Sequence, residues 1–428
     1  MSEARRVLMV APYFPPRNRV GAARPHKLAV ELARLGWSPS VVHLAASGAM
    51  PPDLEHVARF AIDVPLDRTA VRGGSSLAPR RTRPGRGVLE RVDDLLPVDG
   101  WAAPLWWSRR SALRFARARA PDVIWSTADP WSSHLLAAHV ARRLNRPWVA
   151  DFRDPWTLCR VRTARRPDWA RAVDRRVEAR VIAKADRLVF TAERTRSLYA
   201  DAYPRHADRM RVVTNGYAGE VQPFSAAPTG SVGTGRIVLR FFGRFRPLSS
   251  ARRIIRVLKE LRALDLETFR SVEVRSVGGL DDADRRRAEA AGVARAFVAE
   301  EAVDRAARPE RLSSSDLLLL SVEPGRDEIL PAKLFDYLAA GRPVFALADS
   351  PEVAEILART QTGVMFGDDA DPLAAGYLAR AVRAARAGED LPDVGPARPE
   401  VIARWSSEAV ARRMAGVLEE AMGPGDAK

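Results

Sequence analysis

Cysteine occurs once in 428 residues, at Cys159, so neither a disulfide framework nor a cysteine-rich metal site can be built. Lysine occurs five times, and 53 acids stand against 69 bases, so a formal net charge of +16 is carried almost wholly by arginine. Abundant arginine with abundant alanine is what a GC-rich coding sequence produces. The partners consistent with the excess are phosphorylated small molecules, anionic lipid and nucleic acid. No apolar run reaches the roughly 18 residues that span a bilayer. The opening stretch, MSEARRVLMVAPYFPP, passes into an apolar strand pattern without the long apolar core of a signal peptide. A cytoplasmic protein is expected, free or peripheral at the inner membrane face. No strand pattern is followed by G-x-G-x-x-G, so nothing points to dinucleotide binding.

What is present is a strand–helix alternation. RVLMVAP (Arg6 to Pro12), a Pro/Gly loop, a helix from about Arg24 to Leu35 and SVVHL (Ser40 to Leu44) form a βαβ unit, and hence a parallel sheet covered by helices. DVIWS, PWVAD, ADRLVFT and MRVVTN continue the pattern as far as Asn215. From Tyr217 to Gly235 the periodicity lapses and Gly, Pro, Ser and Thr accumulate, as in a linker. A second set follows with RIVLRFFG, SVEVRSV, DLLLLSV and RPVFALA. A length of 428 residues also favours two cores over one.

Between Arg72 and Ala120 a basic stretch, RGGSSLAPRRTRPGRG, reads as a loop. After it, Trp101, Trp106 and Trp107 mix with Arg109, Arg110, Arg114, Arg117 and Arg119. Two readings stand: a solvated helix whose tryptophans pack inward, or an interfacial helix near anionic lipid. His134 and His139 are five apart and do not share a helix face as a metal pair would. Asp282-Ala283-Asp284 has the D-x-D form of a metal site, but it lies in DDADRRRAEAA, which reads as a charged helix start.

The densest chemistry is EILPAKLFDYLAAGRPVFA, Glu328 to Ala346. The strand DLLLLSV delivers the chain to the end of a parallel sheet where ligands bind. Pro331 fits a first helical turn, and the amides of Ala332, Lys333 and Leu334 lack intrahelical acceptors, which suits a phosphate. Lys333 adds a cation there. Asp336 is a carboxylate able to accept from two adjacent hydroxyls, and Glu328, eight positions earlier, could reach a second set. Diol, phosphates, diol describes a nucleotide diphospho-sugar. Surface acids paired with local arginines remain the alternative at this stage.

Glu328, seven residues, then Asp336 resembles the Glu-x7-Glu signature of family 4 retaining glycosyltransferases, and PAKLFDYLAAGRPV is similar to the version in members related to bacterial polysaccharide and lipid-linked sugar transferases. The resemblance implies a GT-B fold, an α/β architecture of two Rossmann-like domains with parallel sheets facing a central cleft. It implies that Asp336 grips the donor ribose, one methylene shorter than the usual Glu, and that Glu328 faces the transferred sugar. APYFPPRNRVGAAR is similar to the family's first loop, and Gly21 and Arg24 are carried over as donor-binding residues. Where many members have a histidine after the fourth strand, this chain has Ala128-Asp129-Pro130, which leaves Asp129, Arg153 and Asp154 as the polar residues of that region. DFRDPW also fits a structural corner with capping carboxylates. Gly243 and Arg244 match the family's diphosphate motif, but no lysine follows at the usual place. Arg246, Arg252 and Arg253 are the substitutes on offer.

The resulting expectations are specific. Residues 1–216 form an acceptor-side domain, 217–235 a linker, 236–395 a nucleotide-sugar domain, and 396–428 a helix returning to the first domain. The resemblance implies hexosyl transfer from a nucleotide diphosphate-sugar to an acceptor hydroxyl, with retention, in glycan or glycoconjugate biosynthesis. Asp129, Asp154 and Glu328 are the catalytic candidates. Gly21, Arg24, Arg153, Gly243, Arg244, Ala332, Lys333 and Asp336 are the donor-binding candidates. No cofactor and no metal are expected. The acceptor is open, a lipid-linked one included, an anionic membrane surface is a candidate partner, and no nucleic acid is expected. A nucleotide-sugar epimerase, a sugar-phosphate synthase and a non-catalytic sugar-nucleotide-binding partner are the rivals.

Overall fold

The computed structural model describes residues 4–17, 19–63, 96–164, 166–228, 236–245, 249–301 and 307–423. The basic stretch 72–87, the second half of the linker composition and Arg246 lie outside them. The chain divides into two compact units, one of Met1–Asn215 with Ser407–Lys428 and one of Gly216–Ser406.

The first unit is built on seven parallel strands in the order β3-β2-β1-β4-β5-β6-β7. They are β1 (Arg6–Val10), β2 (Ser38–Leu44), β3 (Ala58–Ile62), β4 (Val123–Thr127), β5 (Trp148–Phe152), β6 (Arg187–Phe190) and β7 (Met210–Val212). The helices used below are α1 (Ala23–Arg34), α2 (Ala102–Trp107), α3 (Arg109–Arg119), α4 (Ser132–Leu144), α5 (Asp168–Lys184) and α6 (Glu193–Ala202). The central strands are mostly apolar because both faces are covered. Alternate residues go to opposite cores. Leu8, Val10 and Ile124 join one cluster with α4 residues such as Leu136 and Val140. Val7, Met9 and Trp125 join the other, with Leu28 and Leu32 of α1.

The second unit has six parallel strands in the order β10-β9-β8-β11-β12-β13. These are β8 (Ile237–Phe241), β9 (Val272–Val277), β10 (Phe297–Glu300), β11 (Leu317–Ser321), β12 (Val344–Leu347) and β13 (Gly363–Phe366). Its helices include α7 (Arg252–Leu264), α8 (Asp282–Ala290), α9 (Ala332–Ala339), α10 (Pro351–Thr360) and α11 (Asp371–Ala387). Leu239, Phe241, Leu319 and Phe345 pack with Ile254 and Leu258 of α7 and Tyr377 of α11. The first part of the linker composition is bonded to this unit: Gln222 N–H donates to Ala339 O at 2.8 Å and Ser225 N–H to Gly341 O at 2.9 Å. Gly341 is required there, because a Cβ would lie 2.4 Å from Pro223 O at φ +67°. The last helix, α12 (Ser407–Met422), belongs to the first unit, where Val410, Met414 and Leu418 complete the Val7 cluster.

Two sequence patterns resolve as scaffold. The D-x-D stretch opens α8: Asp281 caps it by accepting from Asp284 N–H at 2.8 Å, and buried Asp284 accepts from Ala251 N–H at 2.8 Å. His134 is buried, its Nδ1 2.8 Å from Ser126 Oγ and its ring stacked on Phe152, and burial pushes its pKa down to about 3.

Candidate functional site

In both sheets the strand order reverses at one point, between β1 and β4 in the first and between β8 and β11 in the second. The loops leaving the carboxyl ends of those strands diverge there and leave a crevice, the usual ligand position of an open α/β sheet. Most of the residues singled out in the sequence fall on these loops or in the helices that follow them, while Arg153 and Asp154 follow β5.

In the first unit, the loop after β1 carries Tyr13 and Gly21. A Cβ on Gly21 would lie 2.9 Å from Tyr13 Cδ2 and 3.1 Å from Arg153 Nη2, so the missing side chain makes room for these two neighbours. Arg24, in the first turn of α1, is 5 % exposed. It makes a bidentate pair with buried Asp151, Nε to Oδ2 at 2.9 Å and Nη2 to Oδ1 at 2.8 Å, and also donates to the carbonyls of Val213 and Thr214. Arg153 donates to the carbonyls of Ala128, Gly21 and Asp129, so it ties the β1 loop to the β4 loop. The acid of DFRDPW that braces the corner is therefore Asp151, which also accepts from Thr127 Oγ at 2.8 Å.

Asp154 is exposed; Asp129 also presents surface to solvent, but protein crowds around its carboxyl. The Asp129 carboxyl is held above the usual carboxylate range, chiefly by desolvation, with repulsion from Asp154 adding and Arg153, Arg162 and Arg19 opposing. Two neighbours were not legible in the sequence. Tyr13 Oη accepts from Trp101 Nε1 at 3.1 Å, and burial and Asp129 push its pKa up to about 12. Asp99 accepts from Ser132 N–H at 2.8 Å, Ser132 Oγ at 2.7 Å and Trp101 N–H at 2.9 Å, and desolvation raises its pKa despite these donors. No local pattern announces an acid that caps a helix 33 residues later.

In the second unit, the loops after β8, β9 and β11 come together. Lys333, in the first turn of α9, places Nζ 3.6 Å from the centroid of Phe241, the last residue of β8. A Cβ on Gly243 (φ +140°) would lie 3.1 Å from that Nζ. Arg244 rests on Gly278 (φ +73°), just past β9, where a Cβ would lie 2.9 Å from Nη2. Two glycines from separate strands thus seat two cations. Arg244 is exposed and has no hydrogen-bond or ion-pair partner among the described residues.

Tyr337 fixes α9 to the sheet: its Oη donates to Leu319 O at 3.2 Å and accepts from Phe242 N–H at 2.9 Å. Pro331 stands immediately before α9, where its missing N–H costs nothing. Asp336 is half-buried on α9, and Glu328 is buried in the loop that precedes it. Of the arginines offered as the missing lysine, Arg253 is 1 % exposed and bonded to Asp349 Oδ2 at 3.1 Å and Phe366 O at 3.1 Å, which removes it. Arg252 is exposed at the start of α7; its N–H donates to Ser250 Oγ at 3.2 Å, and its guanidinium has no partner among the described residues. Among the described residues no group of three His, Cys, Asp or Glu side chains forms a metal cluster.

The tryptophan–arginine stretch forms α2 and α3. Inward packing holds for Trp101 only in part, and fails for Trp106 and Trp107, which are 47 % and 74 % exposed. At the α2–α3 junction the buried positions are taken by Leu105, Ala112 and Leu113 instead. Arg109 lies over the Trp106 ring at 4.7 Å. No described helix is long and apolar enough to cross a membrane.

Residues 21–216 match the family described as Glycosyl transferase 4-like domain. No curated protein matches the chain. Among solved structures it is similar to sucrose-phosphate synthase from Thermosynechococcus elongatus, with TM-score 0.63 and 15 % identity over 97 % of this chain and 98 % of that one. A glycosyltransferase from Rickettsia africae gives TM-score 0.59 at 12 % identity over 98 % and 99 % of the two chains. The alpha,alpha-trehalose 6-phosphate synthase from Burkholderia multivorans gives 0.61 at 13 % over 97 % and 96 %. Residues 21–216 of the first unit are thus similar to a glycosyltransferase 4-like domain, and the chain has the fold of the GT-B glycosyltransferases, two all-parallel Rossmann-like sheets covered by helices.

Proposed function

We propose that the protein transfers a hexosyl group from a nucleotide diphosphate-sugar to an acceptor hydroxyl. The observation that carries this reading is the seating of Lys333 on Gly243 and of Arg244 on Gly278 at the switch point of the second sheet. A diphosphate approaching that backbone would meet two cations and the N-terminal amides of α9. As the glycosidic bond breaks, the leaving diphosphate gains charge, and groups already aimed at it stabilise it without reorganising. In this reading Asp336 accepts from the ribose hydroxyls and Glu328 faces the transferred sugar. Asp129 and Asp154 face the acceptor, and the raised proton affinity of Asp129 suits it to accept a hydrogen bond from the reacting hydroxyl.

The finer assignments carry their own tests. Asp336→Ala should weaken donor binding by about 1.5–3 kcal/mol, the worth of charge-assisted hydrogen bonds, with the fold retained. Unchanged affinity in calorimetry on the folded variant would remove Asp336 from the site. Retention predicts a product anomer matching the donor by NMR. With the diphosphate charge met by Arg244, Lys333 and amides, turnover should persist in EDTA, and a loss restored by Mg²⁺ or Mn²⁺ would contradict that. Exposed Trp106 and Trp107 beside Arg110 and Arg114 suit an anionic lipid surface and a lipid-linked acceptor. Sedimentation with anionic but not neutral vesicles, falling with salt, is the expected outcome. Donor binding without turnover on any acceptor, or an epimerised product, would favour the rival readings.

A further inference from the structure

Among the described residues, three large apolar side chains of the first unit stand out into solvent, and all are tryptophan: Trp106 at 47 %, Trp107 at 74 % and Trp169 at 55 %. Trp169 lies in the first turn of α5, separated in sequence from the other two by α3, β4, α4 and β5. The exposed large apolar residues of the second unit include no aromatic.

The three tryptophans belong to one layer of helices. Leu105 of α2, Leu113 of α3, Leu136 of α4 and Ile182 of α5 enter the same cluster, on one face of the first sheet. Helix α4 packs against α2, α3 and α5. Helix α3 feeds the amino end of β4 and α5 the amino end of β6, so their first turns lie toward the carboxyl ends of the parallel strands. Trp106, Trp107 and Trp169 therefore sit at the end of the layer nearer Asp129 and Asp154.

The outer side of this layer carries cations almost alone. Helices α2, α3 and α4 contain no acid. Helix α5 contains three, and each is occupied: Asp174 is buried on Arg166 at 2.8 Å, Glu178 is buried and accepts from Thr157 N–H at 3.0 Å and Tyr203 Oη at 3.0 Å, and Asp168 pairs with Arg171. Arg142 and Arg143 of α4 and Arg175, Arg176, Arg180 and Lys184 of α5 are exposed, and none forms an ion pair among the described residues. Trp169, Arg176 and Arg180, seven and then four positions apart, share one stripe of α5. His139 of α4 senses this charge: burial first, then Arg143, Arg109 and Arg142, lower its pKa. An arginine-rich composition scatters cations; it does not clear the acids from three successive helices or gather the exposed tryptophans at one end of them. Tryptophan suits the headgroup boundary of a bilayer, and unpaired arginine suits anionic headgroups.

We propose that the layer of α2, α3, α4 and α5 is the face on which the protein docks to an anionic bilayer, with Trp169 entering the headgroup boundary beside Trp106 and Trp107, and Arg176, Arg180 and Lys184 facing the headgroups. This face extends the lipid surface proposed from Trp106 and Trp107, on which it rests, and does not depend on glycosyl transfer.

Co-sedimentation of the full chain with phosphatidylcholine vesicles, with and without phosphatidylglycerol, tests the face without turnover. Binding is expected with the anionic vesicles only. Arg176→Gln with Arg180→Gln should weaken it about tenfold or more, since each cation near an anionic surface is worth roughly fivefold. Trp169→Ala should weaken it about fivefold at unchanged thermal midpoint, because less apolar area enters the boundary. The matched pair Arg270→Gln with Arg383→Gln, exposed in the second unit, should bind as wild type does. No binding to anionic vesicles, full binding by the α5 variants, or an equal loss in the second-unit pair would each overturn the proposal. Loss confined to Trp106→Ala and Trp107→Ala would keep the smaller surface and remove α5 from it. Tighter binding to a single-stranded oligonucleotide than to anionic vesicles at the same salt would replace the bilayer by nucleic acid. Calorimetry with nucleotide diphosphates, read in parallel, should show the same affinity in the α5 variants as in wild type. Its failure in wild type would contradict donor binding and leave the docking face standing.

Discussion

The two sheets reverse their order at equivalent places, yet the cations at those places behave oppositely. At the first switch point Arg24 and Arg153 are closed off by protein acceptors: a buried carboxylate and five carbonyls. At the second, Arg244 has no acceptor among the described residues, and Lys333 lies on an aromatic face. Topology says where a ligand can bind; the bonding of each cation says whether it is left to meet one. Arginine at a switch point is therefore not by itself a ligand residue, which matters in a chain with so many.

Substitutions on the two sides should separate scaffold from site. Arg24→Ala strips buried Asp151 of its counter-ion and should cost about 3–5 kcal/mol of stability, read as a large fall in the urea midpoint. Arg244→Ala should do the reverse, leaving stability within about 0.5 kcal/mol while weakening donor affinity by about 1.5–3 kcal/mol. Equal effects of the two on stability would dissolve the distinction. Gly278→Ala bridges both classes. At φ +73° a side chain costs about 1–2 kcal/mol, and its Cβ would displace Arg244, so stability and donor affinity should fall together.

The smallest expected effect concerns pH. Asp129 holds its proton more tightly in the fold than in the unfolded chain, where the carboxyl titrates near ~4. The unfolded state then binds fewer protons across that window, so stability falls as pH rises from the ordinary value through the raised one. Asp129→Asn should flatten this part of the thermal midpoint against pH. An unchanged slope would mean that Asp99, raised for the same chief reason, dominates.

The central strands were legible because burial on both faces writes a largely apolar run, as in Leu317–Ser321 and Arg6–Val10. The strands that sequence reading passed over are edges: β3, β10 and β13 are only partly buried, and their mixed composition gives no clear period. Gly243, Arg244, Lys333 and Asp336 were singled out by spacing and resemblance, and the structure seats Lys333 against Gly243. The meaning of Arg24 was not, because it depends on Asp151, distant by 127 positions. Arg253 looked available for the same reason until Asp349 and Phe366 closed around it. Exposure of Trp107 ran against its size, since Leu105, Ala112 and Leu113 already fill the core beneath.

The central claim is that the switch point of the second sheet holds a nucleotide diphosphate. Calorimetric titration of nucleotide diphosphates and their sugars into wild type, Arg244→Ala and Arg253→Lys tests it most directly. At least one ligand should bind wild type, and Arg244→Ala should weaken it about tenfold or more without lowering the thermal midpoint. Arg253→Lys, at a structural position, should alter the midpoint more than the affinity. No binding by any nucleotide diphosphate, or full affinity in Arg244→Ala, would contradict the account.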